Sequence, residues 1–175
     1  MLEGRNINLR VVEKEDLPLL ADWANDLAIS GEYLPIRQDS RAEVEKMWIE
    51  ATPDRKWFMI EKKDKSKVGL IGHFPVPGCL EIAYGLIPSE WGKGYCSEAA
   101  QIMVDYLFLS KEIVRIQAHA DVRNVASQRV LEKTDFKKEG IVRKSNFRKG
   151  EWRDRYLFSI LREEWKEPKI LTKKA

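Results

Sequence analysis

The feature that most constrains this sequence is a glycine-containing segment between a strand pattern and a helix pattern. The segment Trp91-Gly92-Lys93-Gly94-Tyr95-Cys96 follows the apolar residues 79–87 and precedes the amphipathic residues 97–110. Gly92 and Gly94 allow backbone angles that other residues avoid and let a ligand approach the main chain. The start of a helix offers unpaired N–H groups and positive potential, to which Lys93 adds a charge. The segment predicts an anion site, although two glycines at this spacing also suit an ordinary tight turn.

The elements around this segment predict an α/β or α+β domain with a mixed sheet. A strand over 79–87, a helix over 97–110 and a strand over 115–120 should form a right-handed parallel crossover. Alternation and helical spacing predict the other elements. Strands are expected at 7–11, 57–61, 68–74, 136–142 and 152–161, and helices at 15–27, from Ser40 onward and at 125–133, with a loop at 31–36. The second helix should turn Val44, Met47 and Trp48 inward.

Composition restricts the class of protein. The chain has 175 residues, of which 43% are hydrophobic and 34% charged, as in one soluble globular domain. A net charge of +3 is too small to indicate a nucleic-acid partner. There is no apolar run long enough for a membrane helix, and residues 1–10 do not resemble a signal peptide. Cys79 and Cys96 lack metal-ligand spacing, so we expect free thiols, no metal and a cytoplasmic location.

Three blocks of sequence carry a resemblance to a known family. Residues 91–99, WGKGYCSEA, resemble motif A of the GNAT acetyltransferase superfamily. The RimJ/RimL branch, which acetylates protein N-termini, is the most similar. Its second block matches Asn124-Val125-Ala126-Ser127 with Val130 to Lys133 and Phe136, and its closing strand matches 150–156, GEWRDRY. The chain departs from the family at Trp91 and Cys96, the first and last positions of motif A, and at Asp135, where the branch usually has glycine.

The resemblance implies a GNAT-like single domain over residues 1–165, followed by a polar tail at 166–175. We expect the chain to become mobile after Glu163. It implies a mostly antiparallel seven-stranded sheet, about four helices and acetyl-CoA as cosubstrate between strands 79–87 and 115–120. Backbone groups of Leu86 and Ile87 would pair with the pantetheine arm, and N–H groups of the glycine segment would hold the pyrophosphate. The implied cofactor-binding residues are Leu86, Ile87, Trp91, Gly92, Lys93, Gly94, Tyr95, Cys96, Ser97, Asn124 and Ser127. Asn124 is also a favoured helix N-cap.

The chemistry that the resemblance implies is direct attack of an amine on the thioester. Glu81 is the candidate base, because alternation places it on one strand face with the small residues Ala83 and Gly85. Its alternative role is a rim carboxylate in a salt bridge. Ser127 is the candidate acid, with helix packing as the alternative. His119 is a weaker candidate base, and Cys96 is disfavoured as a nucleophile.

The acceptor is the least determined part of the sequence. The resemblance places Glu32 and Tyr33 beside the acceptor groove, and gives Asp154 either a substrate contact or a structural one. One cluster of basic residues allows two interpretations. It either lies on a solvated hairpin, or it attracts an acidic substrate or the CoA 3′-phosphate. The cluster comprises Arg143, Lys144, Arg148, Lys149, Arg153 and Arg155. The branch favours a protein or peptide N-terminal amine. A small amine (an aminoglycoside, polyamine or amino acid derivative) and a non-catalytic acyl-CoA-binding regulatory module are the alternatives. We expect no nucleic-acid or membrane partner, and a homodimer is left open.

Overall fold

A computed structural model of the protein describes residues 1–49, 52 and 54–170. These residues form one eight-stranded sheet with five α-helices, in the spatial order β1-β2-β3-β4-β5-β6-β8-β7. The strands are β1 (Leu2–Glu3), β2 (Ile7–Val11), β3 (Lys56–Lys62), β4 (Lys67–Val76), β5 (Cys79–Leu86), β6 (Arg115–Asp121), β7 (Lys137–Arg148) and β8 (Glu151–Leu161). The helices are α1 (Leu17–Asn25), α2 (Leu27–Ser30), α3 (Arg41–Ile49), α4 (Tyr95–Ser110) and α5 (Val125–Lys133). The α/β prediction is confirmed, with the two-residue β1 as the additional strand.

The sheet opens between its two parallel strands. β5 and β6 are joined by α4 and run parallel, which confirms the predicted parallel crossover. Their ladder contains only the pairs Leu80 with Ile116 and Glu81 with Gln117. Beyond these pairs the strands continue to Leu86 and Asp121 without pairing, so they part and leave a V-shaped opening. The other neighbouring strands are antiparallel.

Each face of the sheet has its own apolar core. On the first face, α4 and α5 pack against the sheet through fully buried side chains that include Ile102, Met103 and Leu131. On the second face, α1 and α3 cover β3 and β4 with a smaller cluster that comprises Leu20, Ala21, Val44 and Met59. The wider expanse of the second face, over β5, β6 and β8, is therefore free to carry polar side chains. Within the described residues, none of the helices is long and apolar enough to cross a membrane.

Polar side chains divide the first predicted helix. The backbone of Asp26 is extended, which ends α1, and its carboxylate accepts from the N–H of Ala28 to begin α2. The continuous helix expected over 15–27 is therefore wrong. Val44 is buried as expected, whereas Met47 is exposed and the side chain of Trp48 lies outside the described residues.

The last described segment packs against α4. The indole of Trp165 donates to Asp105 at 3.0 Å, and the N–H groups of Lys169 and Ile170 donate to the other oxygen of that carboxylate at 3.0 and 2.8 Å. Trp165 also contacts Phe108, with ring centroids 5.5 Å apart. The expectation of a mobile tail is therefore wrong for residues 164–170, because a buried carboxylate fixes them. Residues 171–175 lie outside the described part.

Candidate functional site

The glycine segment has the backbone that an anion site requires. Gly92 and Gly94 have φ angles of 76° and 84°, in the left-handed region that favours glycine. Gly94 is the N-cap of α4, which begins at Tyr95, two residues before the predicted start. A Cβ built on either glycine would meet nothing within 4 Å. The glycines are therefore needed for their backbone angles and for the open space beside them, and neither is crowded by a neighbouring group.

The first turn of α4 presents its N–H groups to this space. The N–H of Glu98 makes the first intrahelical bond, to the carbonyl of Gly94 at 3.1 Å. The N–H groups of residues 95–97 precede that bond, and the helix dipole adds positive potential around them. Lys93 lies beside the turn with its Nζ 3.0 Å from Oε2 of Glu90. The turn can hold a pyrophosphate with its backbone, while the charge of Lys93 is shared with Glu90.

The backbone of β5 that faces the V-shaped opening is partly engaged by the protein. The N–H of Ile87 donates to Val68 in β4 at 3.0 Å, so this donor is directed away from the opening. The contact of Leu86 and Ile87 with the pantetheine arm stays a prediction. By alternation, the polar groups of Leu86 and Tyr84 face the opening instead. The indole of Trp91 donates to the carbonyl of Leu86 at 2.9 Å. Trp91 therefore ties the glycine segment to the end of β5.

Asn124 and Ser127 lie where α5 begins, across the opening from β5. The amide oxygen of Asn124 accepts from the N–H of Ser127 at 3.0 Å, which is the N-cap contact weighed as its alternative role. The hydroxyl of Tyr84 lies 3.0 Å from the Ser127 hydroxyl and donates to the Ser127 carbonyl at 3.2 Å. Burial raises the pKa of Tyr84. Tyr84 therefore positions Ser127, a contact that one-strand alternation could not reveal because it crosses the opening.

Glu81 lies at the vertex of the opening, where the two strands part. Its Oε2 accepts from the Gln117 amide at 2.8 Å and lies 3.1 Å from Nδ1 of His119. The second contact is close but not aligned as a hydrogen bond. Burial raises the pKa of Glu81, but the contacts with His119 and Gln117 and the charge of Arg155 lower it more, so the net pKa lies below its usual value. Glu81 is thus held as a carboxylate.

The loop after α2 spans the second face of the sheet above this vertex. Leu34 lies next to Gly85 of β5, where an added Cβ would be 3.9 Å from its Cδ1. The Tyr33 hydroxyl donates to the carbonyl of Arg123 at 3.1 Å. Arg153 in β8 donates to the Glu32 carbonyl at 2.9 Å and to its carboxylate at 2.6 Å. The loop and the row Glu81, Ala83 and Gly85 therefore border one groove, which opens on the V-shaped gap.

Comparison with known proteins identifies the family of this fold. A model of the acetyltransferase (GNAT) domain matches residues 6–137. The chain belongs to the GNAT acetyltransferase family. An uncharacterized N-acetyltransferase of Bacillus licheniformis, p20, is 31% identical over 94% of this chain and 97% of its own length. The protein is therefore an N-acetyltransferase.

Solved structures support the same fold. A GNAT-family acetyltransferase of Bacillus anthracis superposes with a TM-score of 0.80 at 25% identity, covering 93% of this chain and 99% of that one. A spermidine N-acetyltransferase of Vibrio cholerae in complex with CoA and spermine gives a TM-score of 0.83 at 22% identity, covering 91% and 98%. That Vibrio cholerae structure contains CoA. The open glycine turn of the present chain has the donor set that a pyrophosphate needs.

The acceptor side of this acetyltransferase carries balanced charge. Arg153 is buried and contacts three carboxylates: Glu32 at 2.6 Å, Glu151 at 2.9 Å and Asp121 at 3.6 Å. Other cations share these carboxylates, since Lys149 lies 3.6 Å from Glu32, and Arg123 contacts both Asp121 and Glu151. Arg153 lowers the pKa of Glu32. The groove therefore has acidic residues, but each of these carboxylates already has a cationic partner.

The remaining candidate residues serve structure or lie apart. Asp154 accepts from the N–H of Lys144 at 2.8 Å, the structural alternative weighed for it, and its role toward substrate stays a prediction. Arg143, Lys144 and Lys149 are exposed on the β7–β8 hairpin, as in the solvated hairpin weighed for the basic cluster, whereas Arg153 is buried. Cys96 is packed behind the glycine turn, and burial raises the pKa of its thiol to about 12. A thiol that stays protonated is a poor nucleophile.

Proposed function

We propose that this acetyltransferase transfers acetyl from acetyl-CoA to the α-amine at the N-terminus of a protein or peptide. The observation that carries the proposal is that four acidic side chains beside the groove, among the residues that the structure describes, already have partners. Glu32, Asp121 and Glu151 face Arg153 and its neighbours, and Glu81 faces His119. A substrate with several positive charges would have to displace these internal cations, whereas a single amine would not.

The chemistry of the amine points in the same direction. An α-amine has a pKa of about 8, whereas a lysine-type amine has a pKa of about 10.4, so an α-amine is more easily deprotonated near neutral pH. A weak base suffices for such a substrate. The weakly basic carboxylate of Glu81 and the imidazole of His119 match that requirement. The resemblance of motif A and of residues 150–156 to the RimJ/RimL branch also supports this acceptor.

The residues of the chain have separate roles in this proposal. The N–H groups at the start of α4 bind the pyrophosphate, and the edge of β5 at Leu86 aligns the pantetheine arm. The cosubstrate supplies the thioester. The amine nitrogen bonds to its carbonyl carbon while the carbon–sulfur bond breaks, and the proton that this nitrogen then loses goes to the departing thiolate, which leaves as the thiol. The pair formed by Glu81 and His119 takes up the proton that the ammonium loses before the attack. Ser127, oriented by Tyr84, donates a hydrogen bond to the departing sulfur.

A small polyamine is the second candidate acceptor. It is favoured by a relative, a spermidine N(1)-acetyltransferase of Vibrio cholerae, which is 23% identical over 91% of this chain and 95% of its own length. The paired carboxylates of the groove argue against it. A polycationic substrate that replaces the internal cations gains little net binding free energy, because each new ion pair breaks an existing one.

The acceptor class is tested by measuring CoA release with three substrates. These are a short peptide with a free N-terminus and an internal lysine, the same peptide with an acetylated N-terminus, and spermidine. We expect a kcat/KM for the free peptide at least about tenfold above that for spermidine, and no turnover of the blocked peptide. Preference for spermidine would establish the polyamine instead. Binding of acetyl-CoA without transfer to any amine would indicate a regulatory module.

A further inference from the structure

We propose that His119 is the catalytic base and that Glu81 is the residue that positions it. The proposal rests on the proposed amine acetylation but does not depend on which amine is the acceptor. It reverses the roles expected from the sequence, in which Glu81 was the base and His119 a weak candidate. The contact between the two side chains across the vertex of the opening is the observation that carries it.

The sheet brings the two residues together. Glu81 pairs with Gln117 in the last rung of the β5–β6 ladder, and His119 lies two residues further along β6 on the same face. Nδ1 of His119 is 3.1 Å from Oε2 of Glu81, and each side chain is 13% exposed. Since β6 separates from β5 beyond this rung, His119 lies on the side that opens toward the groove. Glu81 belongs to the last paired rung of the ladder, whereas His119 lies beyond it.

The chemistry of the two groups assigns their roles. Oε2 of Glu81 has two partners, the Gln117 amide and the His119 ring, and a carboxylate so stabilised is a weak base. An imidazole titrates in the range where a base for an α-amine must work. A carboxylate beside one ring nitrogen orients the ring and stabilises the imidazolium that forms when the other nitrogen takes a proton. The pair therefore works best with Glu81 as the fixed charge.

The proton step balances within this arrangement. With Nδ1 facing Glu81, Nε2 of His119 is the ring nitrogen left for the substrate. The N–H bond of the ammonium breaks, its electron pair stays on the amine nitrogen, and the proton bonds to Nε2. The ring becomes an imidazolium beside the Glu81 carboxylate and later returns the proton to water. Catalytic hydrogen bonds often become aligned only in the reacting complex, which is consistent with an Nδ1–Oε2 contact of 3.1 Å that is not aligned as a hydrogen bond.

The charges around the pair come from three strands. Glu81 is on β5, Asp121 is on β6 with His119, and Arg155 on β8 is close enough to lower the pKa of Glu81. Gln117 is neutral and donates to Glu81 at 2.8 Å. Arg155 also donates to the Ser145 hydroxyl at 2.8 Å, which fixes its position. Glu81 is thus the acidic group in direct contact with the His119 ring among the described residues.

The kinetic test compares E81Q, H119Q and the double variant, each with the amine that the wild type acetylates best. We expect H119Q to lower kcat/KM on the order of a hundredfold and to abolish the acidic limb of its pH profile. E81Q should lower kcat/KM less than H119Q does and should keep an acidic limb at a shifted pH. The kcat/KM of the double variant should be no lower than that of H119Q. A loss within twofold for H119Q, or a larger loss for E81Q with the limb abolished, would overturn the assignment.

A second measurement is independent of turnover. The chain contains two histidines, so the imidazole proton signals can be followed by NMR and assigned with H119Q. Replacing the Glu81 carboxylate in E81Q should change the ring nitrogen shifts of His119 and the balance of its two neutral tautomers, because the carboxylate beside Nδ1 favours the proton on that nitrogen. Unchanged ring signals would show that the pair is not coupled and would refute the positioning role. If peptides prove not to be acceptors, this coupling is still testable, so the two proposals fail separately.

Discussion

The guanidinium of Arg153 in β8 holds the loop after α2 by two bonds to one residue, the carbonyl and the carboxylate of Glu32. Arg153 is buried, and its other acidic contacts, Glu151 and Asp121, belong to β8 and β6. A buried side chain of the sheet thus holds the loop that borders the groove. We therefore expect Glu32 to affect the acceptor through the position of this loop.

The first prediction distinguishes the role of Glu32 in holding the loop from its contribution to the negative charge around Arg153. E32Q should weaken the hold on the loop and raise the KM for the acceptor by several-fold, with the KM for acetyl-CoA unchanged. The matched control is E151Q, which removes a carboxylate at a comparable distance from Arg153 without touching the loop. Steady-state kinetics with both substrates varied would measure the split. Equal effects of the two variants on acceptor KM would contradict the role of the loop.

The second prediction concerns the anion site. G94A places a methyl group in the open space before α4, at a φ of 84°. The backbone strain should cost about 1–2 kcal/mol, and affinity for CoA should fall by roughly tenfold or more because a cradling N–H is displaced.

Gly78 offers the control for this variant, because it has a φ of 80° and equally open space but lies in the β4–β5 turn. G78A should show the same loss in thermal unfolding and unaltered CoA binding by calorimetry. If G94A binds CoA as well as G78A does, the glycine turn is structural only.

Much of this architecture could be predicted from the sequence because it is encoded locally. The pattern of β5, the glycine turn and α4 lies within one continuous segment, and Glu81 aligns with Ala83 and Gly85 through simple alternation. The faces of β5 are as predicted, with Ile82 and Leu86 buried in the first core. Short-range rules suffice where neighbours in the chain are also neighbours in the sheet.

The contacts that were missed all join distant parts of the chain. The pair Glu81 and His119 depends on the β5–β6 register, and the pair Glu32 and Arg153 joins residues 121 positions apart. The carboxylate of Asp105 accepts from the N–H of Lys169, which lies 64 positions further along the chain. No pattern within one element specifies such partners, so the ion pair of Glu32 with Arg153 and the packing of residues 164–170 could not be predicted before the fold was known.

The third prediction tests the contact between β5 and α5. Y84F removes a buried hydroxyl that holds the Ser127 hydroxyl at 3.0 Å, and should destabilise the protein by about 1 kcal/mol. If Tyr84 orients Ser127, the kcat of Y84F should fall with little change in the KM for acetyl-CoA. S127A and the double variant complete a cycle. The double variant should be as slow as S127A; additive losses in kcat would mean that the two side chains act independently.

The last prediction concerns acid stability and uses the other histidine. His73 in β4 is fully buried, and burial lowers its pKa to about 4, from an ordinary value of 6.5. Between these two pH values the unfolded chain binds a proton that the folded protein excludes. His73 therefore costs no stability above pH 6.5, and the free energy of unfolding decreases as the pH falls toward 4.

A shift of this size corresponds to about 3 kcal/mol across that window, and the loss attributable to His73 ends below pH 4.

Asp16 acts in a separate and lower window. Its burial raises the pKa, but Arg10 and Lys67 lower it well below the usual range, so its stabilising contribution is lost only as the carboxylate protonates in stronger acid.

Chemical unfolding of the wild type at several pH values between 4 and 7 would measure the slope of the free energy of unfolding against pH. H73Q should flatten it, whatever its effect on stability at pH 7, because the residue that gains a proton on unfolding is gone. H119Q is the matched control and should keep most of the slope, since that ring is not fully buried and contacts Glu81. A slope that persists in H73Q and vanishes in H119Q would assign the acid sensitivity to the groove rather than to the core, where Phe58 and Tyr106 enclose His73.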